Sequence, residues 1–280
     1  MVVEGNLCDF SFLFLAGVGN EGDGKERRME ILGQRVTISS GTVGLLTPKD
    51  LDVMLALFHI YGAKRIRGTT FLTTLYEVVN VLYGRAREGG GLFDVVKSSL
   101  RRLQANEIFI EGFLDVPPRG ENSELPPLRR PLKIRRLVGI QADAEFHRIV
   151  FPEEIVRNLH NGYRLELSPQ ELREILGMRS GYAKTLALFL KKMMGGKDCF
   201  RIRLDKLIRF MGLSQYEGMS PALRRNRVER FLFPPLERAC RFLNAVCFLC
   251  DDVLTISRRS GEVANPGEGG DERWSSSSTA

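Results

Sequence analysis

The tightest constraint on what this chain can fold into is an order of periodicities between residues 47 and 140. Thr47-Pro48 with Asp50 makes a helix start: Thr as N-cap, Pro at the first helical position, an acid in the first turn. Leu51, Met54, Leu55, Phe58 and His59 then recur at helical spacing until Gly62. Phe71–Tyr83 carries a second stripe through Leu72, Leu75, Val78, Val79 and Leu82. Leu92–Asn106 carries a third, with Phe93, Val96, Leu100 and Leu103 inward and Ser98, Arg101 and Arg102 outward. There the helical spacing stops. Glu107–Leu114 is β-rich, Pro117, Pro118, Gly120, Pro126 and Pro127 mark a long loop, and Leu132–Ile140 reads as a returning strand.

Helix, helix, helix, strand, basic loop, strand is the order of a winged helix, whose third helix enters the major groove while the hairpin loop lies over the backbone. The second half repeats the scheme without a fixed period. Helices are expected from Pro152 to Leu159, from Pro169 to Gly177 and over Tyr182–Met194, with short strands at Tyr163–Leu167 and Phe200–Leu204. Lys206–Met211 reads as a helix, and Pro221 opens a long basic one, Ala222–Leu243. Pro234 and Pro235 force that helix either to kink or to split. Val246–Leu249 and Val253–Ser257 then form a hairpin around Asp251-Asp252. The fold class is therefore mostly α with small β-hairpins (α+β), as two winged-helix domains in tandem. The expected division is 1–46, an N-terminal segment, partly disordered; 47–145, one winged helix; 146–259, the second; and 260–280, a disordered Gly/Ser/acid tail.

At the N-terminus, Phe10–Val18 has the look of a signal-peptide core, but Glu4 and Asp9 precede it with no Lys or Arg, so export is not expected. Residues 1–28 are expected to be dispensable, with Met29 opening the first ordinary strand-like run. No apolar run approaches the roughly 20 residues of a membrane span. Five Cys, an odd number, and three His fit a reducing, cytoplasmic setting. Cys247 and Cys250 form a C-x-x-C without a second pair or a His, and His59, on an apolar stripe, reads as a core or interface residue. No motif for metal, nucleotide or nucleophilic chemistry is recognisable, so neither a cofactor, a metal site nor an enzymatic activity is expected.

The charge is informative by its place. Overall there are 41 Lys plus Arg against 34 Asp plus Glu, a surplus of seven. Ten basic residues face four acidic ones between Arg201 and Arg241, a surplus of six (10 − 4), and Arg129, Arg130, Lys133, Arg135 and Arg136 form a second cluster. Guanidinium forks suit phosphates and guanine edges.

The features at Ser180–Met194, Arg201–Leu213 and Arg225–Phe242 resemble the C-terminal winged-helix domain of iteron-binding plasmid replication initiators. The resemblance rests on a Tyr-containing, Leu-rich helix (Tyr182, Leu186, Leu188, Leu190), a helix ending in Met211-Gly212-Leu213, and a basic helix running from Arg227 into Pro234 and Glu237-Arg238. It covers about Thr47 to Ser257, and its motifs are patterns of residue class. It implies binding to double-stranded DNA at short origin repeats, initiation of replication, self-association in a monomer–dimer exchange linked to autoregulation, and a host helicase or initiator as partner. The alternative is a winged-helix transcriptional regulator without a replication role.

The candidate DNA-binding residues follow from these patterns. On a helix from Pro221, Asn226, Arg227 and Arg230 share an outward face, Arg225 sits at its margin, Arg224 reaches out only from the first turn, and Val228, Phe231 and Leu232 face inward. Lys97, Ser98 and Arg101, with Arg102, belong to the first reading helix. Arg129, Arg130, Lys133 and Arg135 are expected to hold phosphates from the wing; strand alternation would stop Arg135 and Arg136 from facing DNA together.

Overall fold

The computed structural model describes residues 1–17, 25–41, 43–84, 90–117, 126–142, 146–211, 213 and 219–259. The tail at 260–280 and the proline-flanked loop at 118–125, expected to be disordered tail and wing, lie outside the described residues. The fold is α+β.

The chain opens with β1 (Val2–Glu4), α1 (Gly5–Asp9) and a 3₁₀ turn over Ser11–Leu15, followed by the hairpin β2 (Glu26–Ile31) and β3 (Gln34–Ser40). This overturns the expectation that residues 1–28 are dispensable. Phe10, Phe12, Leu13, Phe14 and Leu15 are all within 2% of full burial, and β1 pairs antiparallel with a strand some 160 residues later, Val3 opposite Leu165. An apolar run too short for a membrane is here a core element, which composition alone does not distinguish from a leader.

Next come α2 (Pro48–Ala63), β4 (Thr70–Thr73), α3 (Leu75–Tyr83) and α4 (Gly90–Ala105). The second expected helix loses its first residues to β4. Thr74 caps α3 by accepting from the Glu77 N–H at 3.0 Å, while Glu77 accepts from the Thr74 N–H at 3.1 Å. Upstream of that cap, Thr-Phe-Leu-Thr alternates and pairs as a strand.

After α4 follow β5 (Asn106–Asp115), β6 (Leu128–Ile134), β7 (Gly139–Ala142) and β8 (His147–Val150). The single returning strand expected at 132–140 is thus two strands in different sheets. β6 pairs with β5 in a sheet ordered β2-β3-β5-β6, whereas β7 joins a sheet ordered β4-β8-β7. The hairpin beside the three helices is therefore β7–β8, and β5–β6 belongs to a separate sheet.

The second half contains α5 (Glu153–His160), β9 (Arg164–Glu166), α6 (Pro169–Gly177), α7 (Gly181–Met194), β10 (Cys199–Arg203), α8 (Leu204–Phe210), α9 (Pro221–Phe231), α10 (Phe233–Phe242), β11 (Ala245–Cys250) and β12 (Val253–Arg258). The long basic helix is two helices, broken at Leu232 just before Pro234-Pro235, which fill the first turn of α10 where missing N–H donors cost nothing. The sheet here is ordered β10-β12-β11, so in both halves the strand before the second helix pairs with the last strand and not with the one between. Asp251 and Asp252, both at positive φ (47° and 58°), make the tight turn of the β11–β12 hairpin.

The halves share one core. Phe12 packs on Phe189 of α7 with ring centroids 5.1 Å apart. The buried Lys184 ammonium of α7 lies 2.6 Å from both carboxylate oxygens of Asp52 on α2.

Candidate nucleic-acid interface

α4 owes its orientation to one acid. Val96, Ser99, Leu100 and Leu103 turn inward, while Lys97, Ser98 and Arg101 are exposed. Arg102, expected outward, is drawn in: its Nε and Nη2 donate to the wholly buried Asp50 carboxylate at 2.9 Å each. Asp50 also accepts from the Thr47 N–H at 2.7 Å, so the group that caps α2 fixes α4 as well. Arg102 is structural and does not belong to the interface.

The exposed face of α4 meets the β7–β8 hairpin in a small cleft lined by Lys97, Leu100, Arg101, Gln104, Ile140 and His147. Ile140 is shared with a second open cleft, about 390 Å³, whose rim includes Lys133, Arg135, Arg136 and Gln141. Arg135 and Arg136 lie just past the end of β6, so strand alternation does not separate them and both are exposed on this rim. His147 Nδ1 is buried without a hydrogen-bond partner among the described residues. Burial, and then the charge of Lys97, holds this imidazole below its ordinary pKa.

The remaining members of the expected wing cluster are placed differently. Arg130 donates to Asp115 at 2.9 Å, a carboxylate it shares with Arg157, and Arg129 donates to the Gly112 carbonyl at 3.0 Å. Both sit toward the far end of β6, roughly 14–17 Å from its α4 end. Lys133 lies at the α4 end but is paired with Glu107 at 2.8 Å. Of the cluster, the structure gathers Lys133, Arg135 and Arg136 near α4 and leaves Arg129 and Arg130 within the β2-β3-β5-β6 sheet.

In the second half the corresponding helix is α10. Leu236, Ala239 and Cys240 are buried and Leu243 half-buried, at steps of zero, three, four and seven, the same steps as Val96, Ser99, Leu100 and Leu103. The outward positions Lys97, Ser98 and Arg101 of α4 then correspond to Glu237, Arg238 and Arg241, all exposed. Arg238 and Arg241 were not among the candidate DNA-binding residues read from sequence, because matching α10 to α4 needs the fold to align them. α9 presents Asn226, Arg227 and Arg230 to solvent, with Val228 buried. Arg224 and Arg225 lie in α9, but their side chains are outside the description. Phe231, expected inward, is 59% exposed, because the break at Leu232 turns the chain and Leu232 takes the buried place.

Cys247 and Cys250 lie three apart on β11 and so point to opposite faces. Among the described residues no helix is long and apolar enough to cross a membrane.

No protein-family model matches the chain, and no curated protein matches it. Two crystal structures of domains 2 and 3 of RctB, from Vibrio, share its fold. One, of selenomethionine derivatives, matches with a TM-score of 0.55 at 13% identity, covering 90% of this chain and 97% of that one. The other, of RctB residues 155–483, gives 0.51 at 12% identity with the same coverage.

Proposed function

We propose that this protein is a non-enzymatic replication initiator that binds double-stranded DNA at short direct repeats of a plasmid origin. Its two reading units are winged helices, α2–β4–α3–α4 with β7–β8, and α7–β10–α8–α10 with β11–β12. The observation that carries the reading is the repeated layout: the same strand order in both halves, and the same buried spacing on α4 and α10, with basic side chains outward on each. RctB is itself a replication initiator, and the common fold supports the same class of role here.

In this reading α4 and α10 enter major grooves, where Arg101 has the donor fork that guanine accepts. Arg135, Arg136, Arg227 and Arg230 hold phosphates, positioning the helices without reading sequence. Self-association, autoregulation of its own gene, recruitment of a host helicase or initiator, and action in the cytoplasm belong to the same proposal.

The test is binding of the full chain to duplexes from the DNA flanking its gene. Direct repeats bound at least 10³-fold more tightly than scrambled sequence are expected. Equal affinity for both would reject sequence-specific recognition, and specific binding to a single operator without repeats would favour a transcriptional regulator.

A further inference from the structure

Arginines from two distant parts of the sequence meet in one cleft. Arg179, just after α6, and Arg238 and Arg241, three apart on the outward face of α10, line an open cleft of about 580 Å³ with Glu174, Met178 and Phe242. All three are exposed, and among the described residues none makes an ion pair or a side-chain hydrogen bond. Several other basic residues are committed: Arg102 to Asp50, Arg130 and Arg157 to Asp115, Lys184 to Asp52, and Lys191, next door on α7, to Glu171. The acid lining the cleft, Glu174, instead accepts from Gln170 at 3.0 Å. Three guanidinium groups against one carboxylate leave a local surplus of two positive charges (3 − 1) in a space open to solvent.

We propose that Arg179, Arg238 and Arg241 form a clamp for the phosphodiester backbone of duplex DNA, on the flank of α10. This rests on the DNA-binding reading above and adds a residue, Arg179, from outside the helices, hairpins and strands of the winged-helix unit. The open shape and the guanidinium lining fit a continuous polyanion passing across the cleft, with one fork available to each phosphate oxygen pair. Arg238 and Arg241 share one face of the helix, with Cβ atoms about 5–6 Å apart, so both can serve the same strand. Arg179 approaches from the opposite wall, as a flanking element that positions the reading helix.

The experiment measures affinity of the full chain for a labelled mixed-sequence duplex of about three helical turns as a function of salt. Each of Arg179→Ala, Arg238→Ala and Arg241→Ala is expected to lower the slope of log affinity against log salt by about 1. For Arg179→Ala the loss is the same on every duplex, and Arg179→Lys keeps the slope. Arg173→Ala, exposed on α6 outside the cleft, leaves it unchanged. Wild-type slopes in all three alanine variants, in a chain that still binds duplex, would overturn the clamp while leaving the DNA reading intact. A wild-type chain that binds no duplex would remove both. ATP is the competitor arm: millimolar ATP is expected not to displace the duplex, and displacement at micromolar ATP would overturn the proposal in favour of a free-nucleotide site. Melting temperatures of the variants, all at exposed positions, check that folding is unaffected.

Discussion

Glu4 is fully buried, and its carboxyl accepts from the Leu7 N–H at 2.9 Å, Asn6 Nδ2 at 2.8 Å and Asn158 Nδ2 at 3.0 Å. Burial outweighs these bonds and pushes its pKa up to about 7. The folded chain therefore holds this proton more tightly than the unfolded one. The resulting stabilisation is complete below the ordinary glutamate pKa and is lost as pH rises through about 7. Asp52, pushed by burial to about 6 against the pull of Lys184, acts in the same direction. Urea denaturation at pH 5 and pH 8 should show the wild type losing stability across that interval. Glu4→Gln should remove the larger share, on the order of 3 kcal/mol. Arg102 and Arg101, neighbours in sequence, should separate by assay. Arg102→Ala leaves the buried Asp50 charge without its cation and should cost about 3 kcal/mol of stability in urea denaturation, whereas Arg101→Ala should change DNA affinity and little else. Nothing in the helical spacing told these two apart, because Arg102's partner lies on another helix, 52 positions earlier.

Among the elements, helices with a cap and a stripe were legible: α2, α6 and the hairpin turn at Asp251-Asp252 lie where their residues place them. What local pattern could not show is which strand joins which sheet. Leu132–Ile140 reads locally as one strand, and only pairing with β5 on one side and β8 on the other divides it. The N-terminal segment was misread for a related reason. Its apolar residues show no useful periodicity, and their meaning comes from α7 and α2, which they touch. Phe12→Ala should therefore cost about 3–5 kcal/mol, measured by thermal or urea unfolding, as for a large aromatic removed from a closed core. A change near zero would restore the view that this segment is an appendage.

The whole molecule is joined through that segment, by Phe12 on Phe189 and by the Ser11 hydroxyl donating to the Thr185 carbonyl at 3.1 Å, and directly between α2 and α7 by the Asp52–Lys184 pair. Calorimetry should accordingly record one transition, with calorimetric and van't Hoff enthalpies equal, and two resolved transitions would show that the halves fold separately. The duplicated layout was visible in the sequence as an order of elements, but its quality was not, since the matching burial steps of α4 and α10 need the fold to align them. The two copies also differ in the charge they carry at their hairpins. The second hairpin turns on two aspartates, which a phosphate backbone repels, while Arg135 and Arg136 stand beside the first. Two halves so unlike in charge are not interchangeable. Under the proposed DNA-binding reading, the molecule would sit on a duplex in one direction only, and a row of sites all pointing the same way would line up a row of such molecules facing the same way.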